Sequence, residues 1–223
     1  MKRLIEPMRL SIPVREHVIH GDLALPLDAR GAVIFAHGSG SSRHSPRNQY
    51  VAKVLQQAGF ATLLVDLLTR QEEQIDQQTL EYRFNIGLLA ERLVGATDWL
   101  FKDHNFSHLR LGYFGASTGA AAALIAASLR PNVVDVVVSR GGRPDLAGGA
   151  LIRVVAPTLL IVGELDYEVI LLNRQAAASI PAPTRIEIVP AATHLFEEPG
   201  ALEQVSLLAK EWFATNLLHA NAA

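Results

Sequence analysis

The chain has no cysteine. That removes disulfides, thiolate metal ligands and a cysteine nucleophile, and it fits a reducing compartment. Neither charge is in large excess: Lys and Arg total 20 against 22 Asp and Glu, the net charge is −2, and no run of like charge forms a tail. That balance excludes a surface built broadly to hold nucleic acid. No apolar run reaches the roughly 18 residues of a membrane span. Residues 1–11 carry basic side chains, but Glu6, Pro7 and Arg9 interrupt any apolar stretch behind them, so no secretory leader is expected. The sequence also lacks internal repeats and any linker rich in Pro, Gly or Ser. The expectation is one domain over 1–223, cytoplasmic, with no membrane or nucleic-acid partner.

What is present is ample core: 49% of the residues are hydrophobic. Segments 9–14 and 17–25 alternate polar and apolar residues around Arg15-Glu16, the pattern of an antiparallel hairpin at a sheet edge, and Pro26 ends it. From residue 31 onward strands alternate with helices. The strands read at 31–36, 60–65, 109–114, 133–138, 158–162 and 185–189, and the helices at 46–58, 86–101, 118–129, 168–179 and 201–217. Ser45-Pro46 supplies an N-cap and a first helical residue, and Gly59 a stop. Leu89, Leu93, Ala96 and Leu100 recur at helical spacing. Segment 66–84 is polar and Gln-rich, with no legible pattern, and reads as a surface excursion placed to shape a pocket. Segment 141–149 reads as a glycine-rich loop. Such alternation implies an α/β fold: a mostly parallel central sheet with helices on both faces, an antiparallel edge hairpin at the N-terminus, and no room for a large lid.

One pentapeptide, Gly115-Ala116-Ser117-Thr118-Gly119, falls between the strand at 109–114 and the helix at 118–129. A G-x-S-x-G at a strand-to-helix junction is the sharp turn that lifts a serine hydroxyl clear of a parallel sheet. A serine hydroxyl is a weak nucleophile at neutral pH. It needs a histidine to take its proton and a carboxylate to orient that histidine. In the chain order serine, acid, histidine, the candidates are Asp166, in Gly163-Glu164-Leu165-Asp166, and His194, in Ala192-Thr193-His194-Leu195. Both follow strand ends, where sites in open α/β sheets gather. Glu164 is the rival acid, or else a support for its loop. The negative charge that develops on the substrate needs backbone N–H donors. Thr118, after the serine, and Ser39, in His37-Gly38-Ser39-Gly40 after the first parallel strand, are the expected donors. His37 reads as a brace for that loop.

These residues resemble the α/β-hydrolase superfamily and, within it, the dienelactone-hydrolase-like branch. The likeness runs from Ala32 to Trp212 and rests on HGSG at 37–40, GASTG at 115–119, GELD at 163–166 and THLFEEPG at 193–200. It implies a compact hydrolase of esters or lactones that works without a cofactor. Dienelactone hydrolases proper have a cysteine nucleophile where this chain has Ser117, a departure that favours ordinary ester hydrolysis.

Two rim loops, Ser41 to Asn48 and Ser139 to Arg143, contribute Arg43, Arg47, Arg140 and Arg143. Guanidinium groups bind carboxylate or phosphate in a bidentate fashion, and these four either clamp an anionic substrate or pair with acids of the domain such as Asp145 or Glu164. Arg43 and Arg140, then His44, are the candidate substrate contacts. His17, His20, His104, His108 and His219 show no metal-ligand spacing, so no metal is expected. The expected partner is thus a small-molecule ester. Alternatives are a thioesterase or amidase using the same machinery, or a non-catalytic protein that binds a small acid.

Overall fold

The computed structural model describes residues 6–102, 106 and 108–218. The hairpin forms from β1 (Met8–Val14) and β2 (His17–Ala24), turning at Arg15 with φ 51°. The remaining strands are β3 (Ala32–Ala36), β4 (Ala61–Val65), β5 (Leu111–Ala116), β6 (Val134–Arg140), β7 (Thr158–Gly163) and β8 (Thr184–Val189). They form one eight-stranded sheet in the order β1-β2-β4-β3-β5-β6-β7-β8. β2 joins β4 antiparallel, and every pairing from β4 to β8 is parallel. Every residue of β3, β4, β5 and β7 is buried, as continuous apolar runs covered on both faces require.

The helices are α1 (Pro46–Gln57), α2 (Arg70–Thr79), α3 (Ile86–Lys102), α4 (Thr118–Leu129), α5 (Tyr167–Ser179) and α6 (Ala201–Leu218). Strand alternation divides the core between the two faces. Ile34, Leu63, Tyr113 and Val137 pack with residues of α3 and α4. Phe35, Phe114, Val136, Val138 and Ile161 pack on the other face with Val51 and Leu55 of α1 and Val205 and Phe213 of α6. Ten of the twelve residues of α4 are buried, and its alanines let it lie close against the sheet.

Two segments expected to be irregular are helical. The excursion at 66–84 contains α2, started by a capping box: Thr69 Oγ1 accepts the Glu72 N–H at 3.2 Å, and Glu72 Oε2 accepts the Thr69 N–H at 2.7 Å. The glycine-rich segment forms a 3-10 run over Pro144–Arg153, kinked at Gly148.

The chain leaves β3 towards β4 on one side and, later, reaches β5 on the other. The crevice at the C-terminal ends of β3 and β5 is therefore the topological switch point, the place where open α/β sheets bind ligands. Among the described residues, no helix is long and apolar enough to cross a membrane.

Candidate active site

Ser117 stands at that switch point, between the end of β5 and the first residue of α4. Its backbone adopts φ 50° and ψ −121°, a region that a residue with a Cβ occupies only under constraint from its surroundings. The constraints are visible. The Ser117 N–H donates to Arg140 O at 3.2 Å, and Ser117 O accepts the Arg143 N–H at 3.1 Å. The two glycines of the pentapeptide serve close packing. A Cβ on Gly115 would stand 2.4 Å from Ala120 Cα, and one on Gly119 2.3 Å from Ala36 O. The turn is thereby wedged between α4 and the end of β3.

The loop after β3 passes directly over Ser117: a Cβ at Gly38 would lie 3.0 Å from Ser117 Cβ. His37 braces the loop. Its Nε2 accepts the Leu67 N–H at 3.0 Å, which leaves Nδ1 to carry the ring proton and donate to Gly38 O at 2.9 Å. Burial lowers the His37 pKa, consistent with a neutral ring in that role. Neither the Ser39 N–H nor the Thr118 N–H makes a hydrogen bond among the described residues. Two amide donors are thus open beside Ser117.

His194 and Asp166 are brought together: His194 Nδ1 and Asp166 Oδ2 are 2.6 Å apart. Donation from Nδ1 leaves Nε2 as the free acceptor. The acid and histidine loops interlock through backbone bonds, Glu164 N–H to Val189 O and Leu165 N–H to Ala192 O, both 2.9 Å. Glu164 turns away from the histidine ring and accepts the Ala191 N–H at 2.7 Å, supporting the loop that carries His194. The ring sits above Gly141, where a Cβ would be 3.6 Å from His194 Cε1. Gly141 immediately follows Arg140, whose carbonyl binds Ser117. The Ser117 hydroxyl makes no hydrogen bond among the described residues; such catalytic bonds often tighten only around substrate.

The rim arginines behave differently from one another. Arg43, expected to face substrate, is committed to the protein: its Nη1 pairs with Asp66 Oδ2, its Nε lies 3.4 Å from Asp22 Oδ2, and its N–H donates to Asp66 Oδ1 at 2.9 Å. Arg143 forms a two-point pair with Asp145 at 2.9 and 2.8 Å. His44 sits at the rim near α1, and its N–H donates to Ser42 Oγ. Arg140 is buried without an acidic partner. His104 and His219 lie outside the described residues, as do residues 1–5 of the leader reading; among the described residues no cluster of His, Asp and Glu has the makings of a metal site.

The opposite wall of the crevice comes from segment 66–84, which the sequence placed at a pocket without revealing its helix or the residues that line it. A cavity of about 160 Å³ lies between His37–Ser41 and the α2 region, with Leu68, Glu73, Asp76 and Arg83 in its lining. Asp76 organises that wall. Its carboxylate accepts N–H groups from Tyr82 and Arg83, both at 2.8 Å, and Nε of Arg83 at 2.7 Å. Burial raises the Asp76 pKa, but these bonds and the Arg83 charge outweigh it and hold the pKa below the usual carboxylate value. The T-x-x-E of Thr69 to Glu72 was the signal that α2 was there.

Residues 19–216 match the dienelactone hydrolase family. The chain is 57% identical over 199 residues to two Mycobacterium tuberculosis proteins, from different strains, provisionally named phosphoribosyl transferases. The match takes in 89% of this chain and 44% of theirs, so the chain spans less than half the length of these relatives. It is also similar to a solved structure, dienelactone hydrolase from Anabaena variabilis, at 59% identity, with 95% of this chain and 99% of that one covered and a TM-score of 0.92. Carboxyl esterase 2 from Tuber melanosporum shares the fold at 16% identity, with 97% and 89% covered and a TM-score of 0.74. With its sheet, its switch-point serine and a family match over most of its length, this chain belongs to the dienelactone hydrolase family of α/β hydrolases.

Proposed function

We propose that the protein is a serine hydrolase that cleaves a carboxylic ester or lactone of a small molecule through an acyl-enzyme. One observation carries the reading: Ser117 is held at positive φ beside two unengaged amides, with the Asp166–His194 pair on the adjoining loops. A strained serine next to unsatisfied donors is costly to fold and is useful where negative charge develops.

The chemistry follows from these positions. Ser117 Oγ attacks the carbonyl carbon while His194 Nε2 removes its proton. Asp166 holds Nδ1–H and stabilises the imidazolium. The carbonyl oxygen becomes an oxyanion and receives the Ser39 and Thr118 N–H groups, each worth about 3 kcal/mol of barrier. Collapse expels the alcohol, which takes the proton from His194. Water then repeats the sequence on the acyl-serine, releasing the acid and restoring Ser117. In a lactone the expelled alcohol remains part of the acyl group, and the second step releases a single hydroxy acid. The name of the Anabaena relative supports hydrolysis of an ester or lactone. The transferase name belongs to proteins of which this chain matches under half.

The test is intact-protein mass after incubation with an organophosphonate ester. A single adduct on the wild-type protein, absent from Ser117→Ala, is expected. A folded wild-type protein with no adduct, or an equal adduct on the variant, sinks the reading.

A further inference from the structure

Asn173 lies on α5, two helical turns beyond Asp166, the residue that caps that helix, so the two are about 10 Å apart along one axis. Its side chain is fully buried. Nδ2 donates to Val169 O at 2.7 Å, one turn back, and to Gly142 O at 2.9 Å. Both contacts are carbonyls, so both amide hydrogens are spent and the amide can face only this way. Oδ1 is buried and has no hydrogen-bond partner among the described residues. An apolar side chain of the same size would fill this place without an unpaired oxygen. The amide therefore matters for what Nδ2 holds.

Gly142 O belongs to the peptide that joins Gly142 to Arg143. That peptide is planar and trans, so its C=O and its N–H point from opposite edges of one rigid plate. The Arg143 N–H, on the far edge, donates to Ser117 O at 3.1 Å. The plate is also wedged in place, since a Cβ on Gly142 would collide with Ser139 Oγ and Ala120 Cβ. Gly141, one residue earlier, donates its N–H to Ile161 O at 2.8 Å and passes against the histidine loop, where its Cβ would stand 3.0 Å from His194 O. The helix that begins at Asp166 thus reaches both partners of the proton transfer. Asp166 holds the His194 ring from the helix start, and Asn173 holds the Ser117 turn from two turns further on. We infer that Asn173 is a positioning residue for catalysis: through the Gly142–Arg143 peptide it sets the distance from Ser117 Oγ to His194 Nε2. Asn173 touches no reacting atom, and the inference rests on the reading of Ser117 and His194 as nucleophile and base.

The experiment measures labelling by an organophosphonate ester and hydrolysis of 4-nitrophenyl acetate, with circular dichroism to give the folded fraction. It uses the wild-type protein, Asn173→Leu, Asn173→Ala, His194→Ala and the double variant Asn173→Leu with His194→Ala. Asn173→Leu keeps the volume and removes both donors. Per folded molecule, kcat and the saturating labelling rate should fall about 10- to 100-fold in both Asn173 variants, with KM within about threefold, because a misplaced reacting group costs rate rather than binding. Without His194 there is no base to position, so in the His194→Ala background Asn173→Leu should slow residual labelling by less than about twofold. A merely structural side chain would give the same factor in both backgrounds. The inference is overturned by equal factors in the two backgrounds, by an unchanged kcat, by a loss that the unfolded fraction accounts for, or by failure of both Asn173 variants to fold. The reading of Ser117 and His194 has its own arm. If the wild-type protein takes no label, or His194→Ala labels as fast, that reading falls and the inference with it. Labelling of the wild-type protein that His194→Ala slows leaves the Asn173 variants to decide the inference alone.

Discussion

The two walls of the crevice beside Ser117 are held by different means. On the β3 side, backbone packs on backbone: the loop at His37 and Gly38 rests on Ser117 and Ala116, and Gly119 lies against Ala36 O and His37 O. On the α2 side, charged side chains do the holding: Asp76 gathers Tyr82 and Arg83, and Glu72 both caps α2 and pairs with buried Arg92 at 2.6 Å. Close backbone contacts do not titrate. The α2 wall is fixed by groups that do, so the two walls should respond to different perturbations.

The largest expected effect is on the chemistry side. Ser117→Ala should lower kcat by at least about 10⁴-fold with thermal stability retained. Asp166→Asn should cost about 10⁴-fold in kcat, because the histidine takes the wrong tautomer. Glu164→Gln, which touches only the Ala191 N–H, should cost less than about tenfold by the same reasoning. Equal losses at the two acids would undo the division of labour between them. Next is Gly119→Ala, whose methyl group has only carbonyl oxygens to displace. It should destabilise by about 3 kcal/mol or more, read from denaturant midpoints.

On the other wall, Asp76→Asn should raise KM while leaving kcat within a few-fold, with local stability reduced by about 2 kcal/mol. A drop in kcat with KM unchanged would mean that this wall takes part in the chemistry. Acid should act in the same place. The folded-state pKa of Asp76 lies below its unfolded value of about 3.9, so its contribution is present above that pH and lost as pH falls through the folded value. Amide exchange in α2 should then quicken below about pH 4 before exchange in α4 does. The smallest effect belongs to Thr69→Ala, which removes a cap worth about 1 kcal/mol.

The same contrast governs what could be read from the sequence. Strands buried on both faces and the serine turn are local patterns, so their positions were legible to within about two residues. The Arg143–Asp145 pair was legible as well, its partners being two residues apart. The partners of Arg43 were not, since Asp66 lies 23 positions away and reaches it only after β4 aligns beside β3. Arg140 was named as a candidate contact, but that it is buried and alone follows only from the packing of α1 on the sheet. α2 escaped because Ile75 is its only apolar residue and only Asp76 is buried, leaving no apolar stripe to count.

The wedge around Gly119 has a historical consequence. A position where any side chain collides with two fixed carbonyls offers natural selection no intermediate steps, so the nucleophile's turn cannot drift gradually. Descendants of this chain that acquire new substrates should keep the pentapeptide's glycines and vary instead along α2, where Asp76 alone is buried.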